Sequence, residues 1–187
     1  MKKIAITGSL ASGKTTASKI ISKGKGPLFS ADDFIRKLYL RKSFKVLISK
    51  KFKIKNSSQL KKNLIKLIIT KKSNLQKLEN IIHPIVRNEI KKFIRKNDKK
   101  KLIFFEIPLL IESKQMKNYD IIIFIKAKKK IRLNRFKLKG GDKRLFEILN
   151  NKQLNEKTKI RFSNYVVVNE KNIKFLKKKL SDILRKL

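Results

Sequence analysis

The sequence predicts an α/β domain: a mainly parallel, five-stranded sheet flanked by helices. Three observations predict it. Short, nearly uniform apolar runs such as Lys101–Ile107 and Asp120–Ile125 read as strands buried on both faces. Stretches with apolar residues at helical spacing alternate with those runs, which is the pattern of a layered α/β fold. The first apolar run, Ile4–Ile6, leads into Gly8-x-x-x-x-Gly13-Lys14-Thr15 and then a helix-forming segment. Strand, glycine-bounded loop and helix in that order make a phosphate-binding P-loop.

The bulk properties set limits. At 187 residues with 41% apolar content, the chain has room for one domain with a full core. No apolar run approaches the roughly 20 residues of a membrane span. The first strand begins near Met1 with no signal-like segment before it, so a cytoplasmic location is expected. Without cysteine there are no disulfides, thiolate ligands or cysteine nucleophiles, and one histidine does not make a structural zinc site. The net charge of +39 suggests nucleic-acid binding at first sight. Three features oppose that: the lysines are spread along the chain, Lys far outnumbers Arg, and aromatics are not interleaved with the basic runs. Compositional drift toward lysine explains the charge better, and neither a specific nucleic-acid partner nor a membrane is expected. A monomer is the expected state.

In chain order, strand one covers Lys3–Thr7 and the P-loop helix about Gly13–Lys23, stopped by Gly24 and Gly26-Pro27. Pro27–Ser30 reads as strand two. It delivers Ala31-Asp32-Asp33 to its carboxyl end, where ligands bind in open α/β sheets. One of these acids can instead cap the helix beginning near Phe34. From about 39 to 82 the pattern is helical, with stripes at Leu60, Leu64, Leu67 and Ile68, and at Leu75, Leu78, Ile81 and Ile82. His83-Pro84 reads as the start of a new helix, Ile85–Lys96. Strand three ends in Glu106, strand four is Asp120–Ile125, and strand five is Tyr165–Val168 before a closing helix, Lys174–Leu187. Between strands four and five, about 128–162, lies a basic helical hairpin with Arg132, Arg135, Lys137 and Lys139, broken at Gly140-Gly141 and helical again over Glu147–Phe162. The core is thus expected at about 1–38, 83–127 and 163–187.

The chemistry of this pattern is phosphoryl transfer. Backbone N–H groups from Gly8, Ser9, Leu10, Ala11, Ser12, Gly13, Lys14, Thr15 and Thr16 would surround the phosphates at a positive helix end. Lys14 would reach the terminal phosphates, and the Thr15 hydroxyl would take a place on Mg²⁺. In a chain where lysine is the default polar residue, acids at strand ends carry information; Asp32, Glu106, Glu112 and Asp120 are so placed. An acid beside the P-loop strand commonly serves Mg²⁺, which nominates Glu106 with Thr15 as metal residues. The donor site is expected to face Asp32 across the tips of adjacent strands. The hairpin has the character of a lid that brings cations to the transferring group.

Several pieces together resemble one family, dephospho-coenzyme A kinase. They are Thr7-Gly8 through Thr16; Ala31-Asp32 with Arg36; Leu78-Glu79-x-Ile81-Ile82-His83-Pro84; Ile107-Pro108-Leu109-Leu110-Ile111-Glu112; Asp120; Arg135; Gln153; and Asn169. The resemblance covers nearly the whole chain in order. It implies a P-loop kinase fold with a helical substrate-binding insertion (39–82) and a helical lid (128–162). It also implies transfer of phosphate from ATP, with Mg²⁺, to the ribose 3′-hydroxyl of dephospho-coenzyme A. Carried onto this chain, Asp32 is the catalytic base, Lys14 and Arg135 neutralise the transferring group, and Lys139 joins the loop in binding the nucleotide. Asp32, Arg36, His83, Arg87, Glu106 and Leu109 fall on the acceptor side.

The chain departs from the family pattern at four places. Ser30 stands for the first acid of an Asp-Ala-Asp motif, and Ser9 and Ala11 replace loop glycines outside the fixed pair. Lys139 stands for a second lid arginine, and Ser163-Asn164 for Ala-Asp. A small P-loop kinase acting on a nucleoside or its monophosphate is the nearest alternative. A basic nucleic-acid-binding protein is the alternative from another class. The Leu-Glu-x-x-x-His-Pro and Pro-Leu-Leu-x-Glu pieces favour the family over both.

Overall fold

A computed structural model describes residues 1–55, 59–71 and 73–187. It divides into two compact units, 1–31 with 93–187, and 32–92. The first unit carries the sheet. Its strands are β1 (Lys2–Gly8), β2 (Leu28–Ser30), β3 (Leu102–Glu106), β4 (Ile121–Lys126) and β5 (Tyr165–Val168), all parallel in the order β2-β3-β1-β4-β5. The five parallel strands agree with the sequence. The expectation that strand two adjoins the P-loop strand does not hold, because β3 lies between them. Sequence patterns reveal strands but not which crossover passes which neighbour, so strand order had to come from the structure.

Both faces of the sheet are covered, which is why the middles of its central strands are apolar toward both faces. On one face Ile4, Ile6, Phe104, Ile123, Ile125 and Val167 pack with α1 (Lys14–Ser22) and α9 (Ile173–Leu184) through Ala17, Ile21, Leu176, Leu180 and Ile183. Aromatic rings line the other face. Phe93 lies 5.6 Å from both Phe29 and Phe105, and Tyr119 lies 5.2 Å from Phe105, in tilted or edge-on pairs that suit aromatic quadrupoles. Asp120 proves structural. Its carboxylate accepts from Lys3 N–H at 2.6 Å and its own N–H reaches Lys3 O at 2.9 Å, pinning the entrance of β4 to β1. Asn164 does the same at the entrance of β5, exchanging bonds with Ile122 of 2.8 and 2.9 Å.

Three helices follow β4: α6 (Lys129–Leu138), α7 (Lys143–Asn151) and α8 (Glu156–Arg161). The continuous helix expected over 147–162 is two helices. Asn155 ends the run, because its side chain accepts the Thr158 N–H at 2.8 Å and caps α8. Gln153 and Leu154 therefore lie in a connection and not on a helix.

The second unit is helical among its described residues: α2 (Ala31–Leu38, entering from the strand), α3 (Lys42–Phe52), α4 (Leu60–Thr70) and the part of α5 (Ser73–Lys96) up to Lys92. Its buried apolar residues include Phe44, Ile48, Leu60, Leu64, Ile68, Leu75, Leu78 and Ile82, so both predicted stripes face inward. The helix start expected at His83-Pro84 is absent; Pro84 lies inside one continuous α5. Pro84 cannot donate to the Asn80 carbonyl, and both residues are exposed at that turn. No helix among the described residues is long and apolar enough to cross a membrane.

Candidate active site

The loop between β1 and α1 is shaped by its two fixed glycines. Gly13, the residue before α1, has φ of 96°, which side chains strongly disfavour, and a Cβ there would collide with the Asn169 amide. A Cβ on Gly8 would collide with the Ile125 carbonyl. The loop closes on itself through Ser12 N–H to Ser9 O at 3.1 Å, and Ala11 at its tip has φ of 58°. Lys14 is buried, and its Nζ donates to Ser9 O at 3.3 Å, so the cation already spans the loop.

At the loop's base the Thr15 hydroxyl donates to Glu106 Oε1, and Ser30 Oγ donates to Glu106 Oε2 at 2.6 Å. Glu106 is fully buried at the end of β3, in register with Ile6 of β1. A buried carboxylate is tolerable when its oxygens are bonded, and here both are. Thr15, Glu106 and Ser30 come from α1, β3 and β2, so three elements converge on one carboxylate.

The far side of the loop is held from α6 and from the residue after β5. The Arg135 guanidinium donates to Ser12 O at 3.3 Å, and Asn169 Nδ2 donates to the same oxygen at 2.9 Å. Arg132, also in α6, is buried. Its Nε donates to Ala127 O at 3.0 Å, and its Nη1 to Leu10 O at 3.2 Å and Asn150 Oδ1 at 2.8 Å. Burial lowers its pKa, opposed by the charges of Glu156 and Glu147. Gln153 Oε1 accepts the Leu10 N–H at 3.1 Å. Lys139 is exposed at the end of α6.

Other predicted residues fall elsewhere. Leu109 is half-buried in the turn after β3, where its carbonyl accepts from Ser113 Oγ at 2.7 Å. Asp32 is exposed in the first turn of α2, directly after β2 in the chain. Its neighbour Asp33 pairs with Arg36 at 2.9 Å, one helical turn on. Half-buried His83 and exposed Arg87 are four residues apart on α5 and share a face. Arg132 counted in the sequence only as part of a basic stretch. Asn150 and Lys159 carried no signal there at all.

Among the described residues no three His, Cys, Asp or Glu side chains gather to hold a metal. The adjoining hydroxyl and carboxylate of Thr15 and Glu106 are hard oxygen donors. Such a pair could supply part of an oxygen set for Mg²⁺, which seldom takes an all-protein cage.

A phosphate loop, an adjoining buried acid and an arginine-bearing helix are common to many kinases. The decisive observation is that the family described as dephospho-CoA kinase matches residues 2–174. The chain belongs to the dephospho-CoA kinase family. The dephospho-CoA kinase of Bartonella quintana is 31% identical over 192 residues, covering 100% of this chain and 98% of that one. That of Fusobacterium nucleatum is 32% identical over 182 residues, covering 95% and 94%. The solved structure of a dephospho-CoA kinase from Campylobacter jejuni superposes with a TM-score of 0.67 at 23% identity, covering 100% of this chain and 97% of that one. At that identity the superposition speaks for the P-loop kinase fold. Membership of the dephospho-CoA kinase family, in turn, rests on the match along the chain.

Proposed function

We propose that this chain transfers the terminal phosphoryl group of ATP to the ribose 3′-hydroxyl of dephospho-CoA, giving CoA and ADP. The observation that carries the reading is the phosphate loop, with Lys14 spanning it and Thr15 on Glu106, in a chain that matches the family over residues 2–174. The acceptor oxygen forms its bond to the γ-phosphorus as the bond to the β–γ bridging oxygen breaks. The hydroxyl proton passes to the Asp32 carboxylate, and ADP leaves. Asp32 needs only to orient the hydroxyl and accept its proton late, because the transition state is loose.

Loop N–H groups from Gly8 to Thr16 bind the phosphates, and Lys14 and Arg135 stabilise the charge on the transferring group. Lys139 adds an exposed cation on the lid side. Thr15 and Glu106 would hold Mg²⁺, which when bound screens the phosphate charge. Arg36, His83, Arg87 and Leu109 are assigned to the acceptor. Residues 39–82 form its binding insertion and residues 128–162 the lid.

The test offers the protein ATP and Mg²⁺ with either dephospho-CoA or nucleoside monophosphates and follows ADP release. Turnover is expected with dephospho-CoA alone; turnover of a monophosphate without it overturns the reading. Asp32→Asn should lower kcat by roughly 10²–10⁴ with ATP affinity little changed. Full activity in that variant would leave Asp32 as a helix-start acid only.

A further inference from the structure

The tip of the phosphate loop is held at both backbone polar groups of one residue, Leu10. Leu10 O accepts from Arg132, and Leu10 N–H donates to Gln153 Oε1 at 3.1 Å. Such a hold matters here because the next residue, Ala11, carries a positive φ that the chain would not choose unaided. Gln153 itself lies in the connection between α7 and α8 and would be free to turn its amide. What prevents this is Lys159. Its Nζ donates to the same Gln153 Oε1 at 3.1 Å and makes an ion pair with Glu112 Oε1 at 2.6 Å.

The Lys159 side chain is 1% exposed and that of Glu112 is 13% exposed. Both groups that face Gln153, an amide N–H and an ammonium, can only donate, so the oxygen of the amide must face them. Burial lowers the pKa of Lys159, while the hydrogen bond and charge of Glu112 raise it. Glu112 also accepts the Leu154 N–H at 3.3 Å, and its second oxygen is buried with no hydrogen-bond partner among the described residues. Desolvation on this scale is costly for an ion pair whose only role is packing.

We infer that the buried Lys159–Glu112 pair is a positioning device for the phosphate loop: through the Gln153 amide it holds the Leu10 N–H and so sets the loop tip for ATP. Both residues act through Gln153. The inference rests on the loop's being the ATP site.

Lys159→Met alone strands a buried carboxylate and tests only folding, so the informative variant removes both charges. Glu112→Leu/Lys159→Met should melt within a few degrees of the natural chain, since paired buried charges are replaceable by apolar groups. It should nonetheless bind ATP about tenfold more weakly by calorimetry, with the KM for dephospho-CoA unchanged. Gln153→Leu should show the same loss of ATP affinity, and combining it with the double variant should add nothing further. ATP affinity within twofold of the natural chain, in a folded double variant or in Gln153→Leu, overturns the inference. If the double variant does not fold, Gln153→Leu decides by itself. Failure of the natural chain to phosphorylate dephospho-CoA while still binding ATP would overturn the proposed reaction and leave this inference standing.

Discussion

Ser30→Ala probes how the site's buried acid is sustained. Glu106 is fully buried, and one of its oxygens depends on the 2.6 Å hydrogen bond from Ser30 Oγ. Removing that hydroxyl leaves a desolvated carboxylate oxygen short of a donor, with no room opened for more than the atom deleted. Hydrogen bonds to charged groups are worth about 1.5–3 kcal/mol, roughly twice a neutral one. In a chain of this size each kcal/mol moves the midpoint by about 2–4 °C, so thermal unfolding by circular dichroism should shift down by about 3–12 °C. A charge-assisted bond also predicts coupling: in the Glu106→Gln background, Ser30→Ala should cost about 1 kcal/mol less. A shift below about 1 °C, or an equal shift in both backgrounds, would refute the view that Ser30 sustains the carboxylate.

Two further outcomes follow from half-buried Tyr39 and buried Arg132. Burial raises the Tyr39 pKa from 10.0 to about 12, so the folded protein holds the phenol proton more tightly than the unfolded chain. Its contribution is complete below about pH 10 and lost as pH rises to about 12. Stability should fall by roughly 2–3 kcal/mol across that window, and Tyr39→Phe should remove that part of the slope in alkaline urea titrations. Arg132→Lys keeps the charge but not the fork that reaches Ala127, Leu10 and Asn150 together. It should cost about 2–4 kcal/mol in urea unfolding and weaken ATP binding, whereas an unchanged midpoint would mean that Arg132 is a surface-like cation despite its burial.

What the sequence made legible was whatever depends on local pattern. Uniform apolar runs identified the three central strands because burial on both faces forbids alternation. The fixed glycines marked the loop because only a residue without Cβ fits against Ile125 O and the Asn169 amide. Strand order, the unbroken α5 and the gap between α7 and α8 were not legible. Pro84 and Asn155 are ambiguous punctuation whose meaning is settled by what is exposed and what is capped. The site divides in the same way. Lys14 was found by its motif, but Lys159 is one of 43 lysines and differs from its neighbours only in being buried against Glu112 and Gln153. In a chain so rich in lysine, composition conceals the few cations that matter, and burial reveals them.

Ser30 is chemically sufficient where it stands beside Glu106. An acid at this position would set a second carboxylate against Glu106 Oε2, which the serine hydroxyl approaches to 2.6 Å. Two carboxylates at that distance need a shared proton or a bridging cation to coexist. A hydroxyl needs neither, and donates into the carboxylate instead of repelling it. Glu106 is thereby held on both oxygens by Thr15 and Ser30. The free protein thus holds its site acid preorganised, at a buried carboxylate that joins α1, β2 and β3.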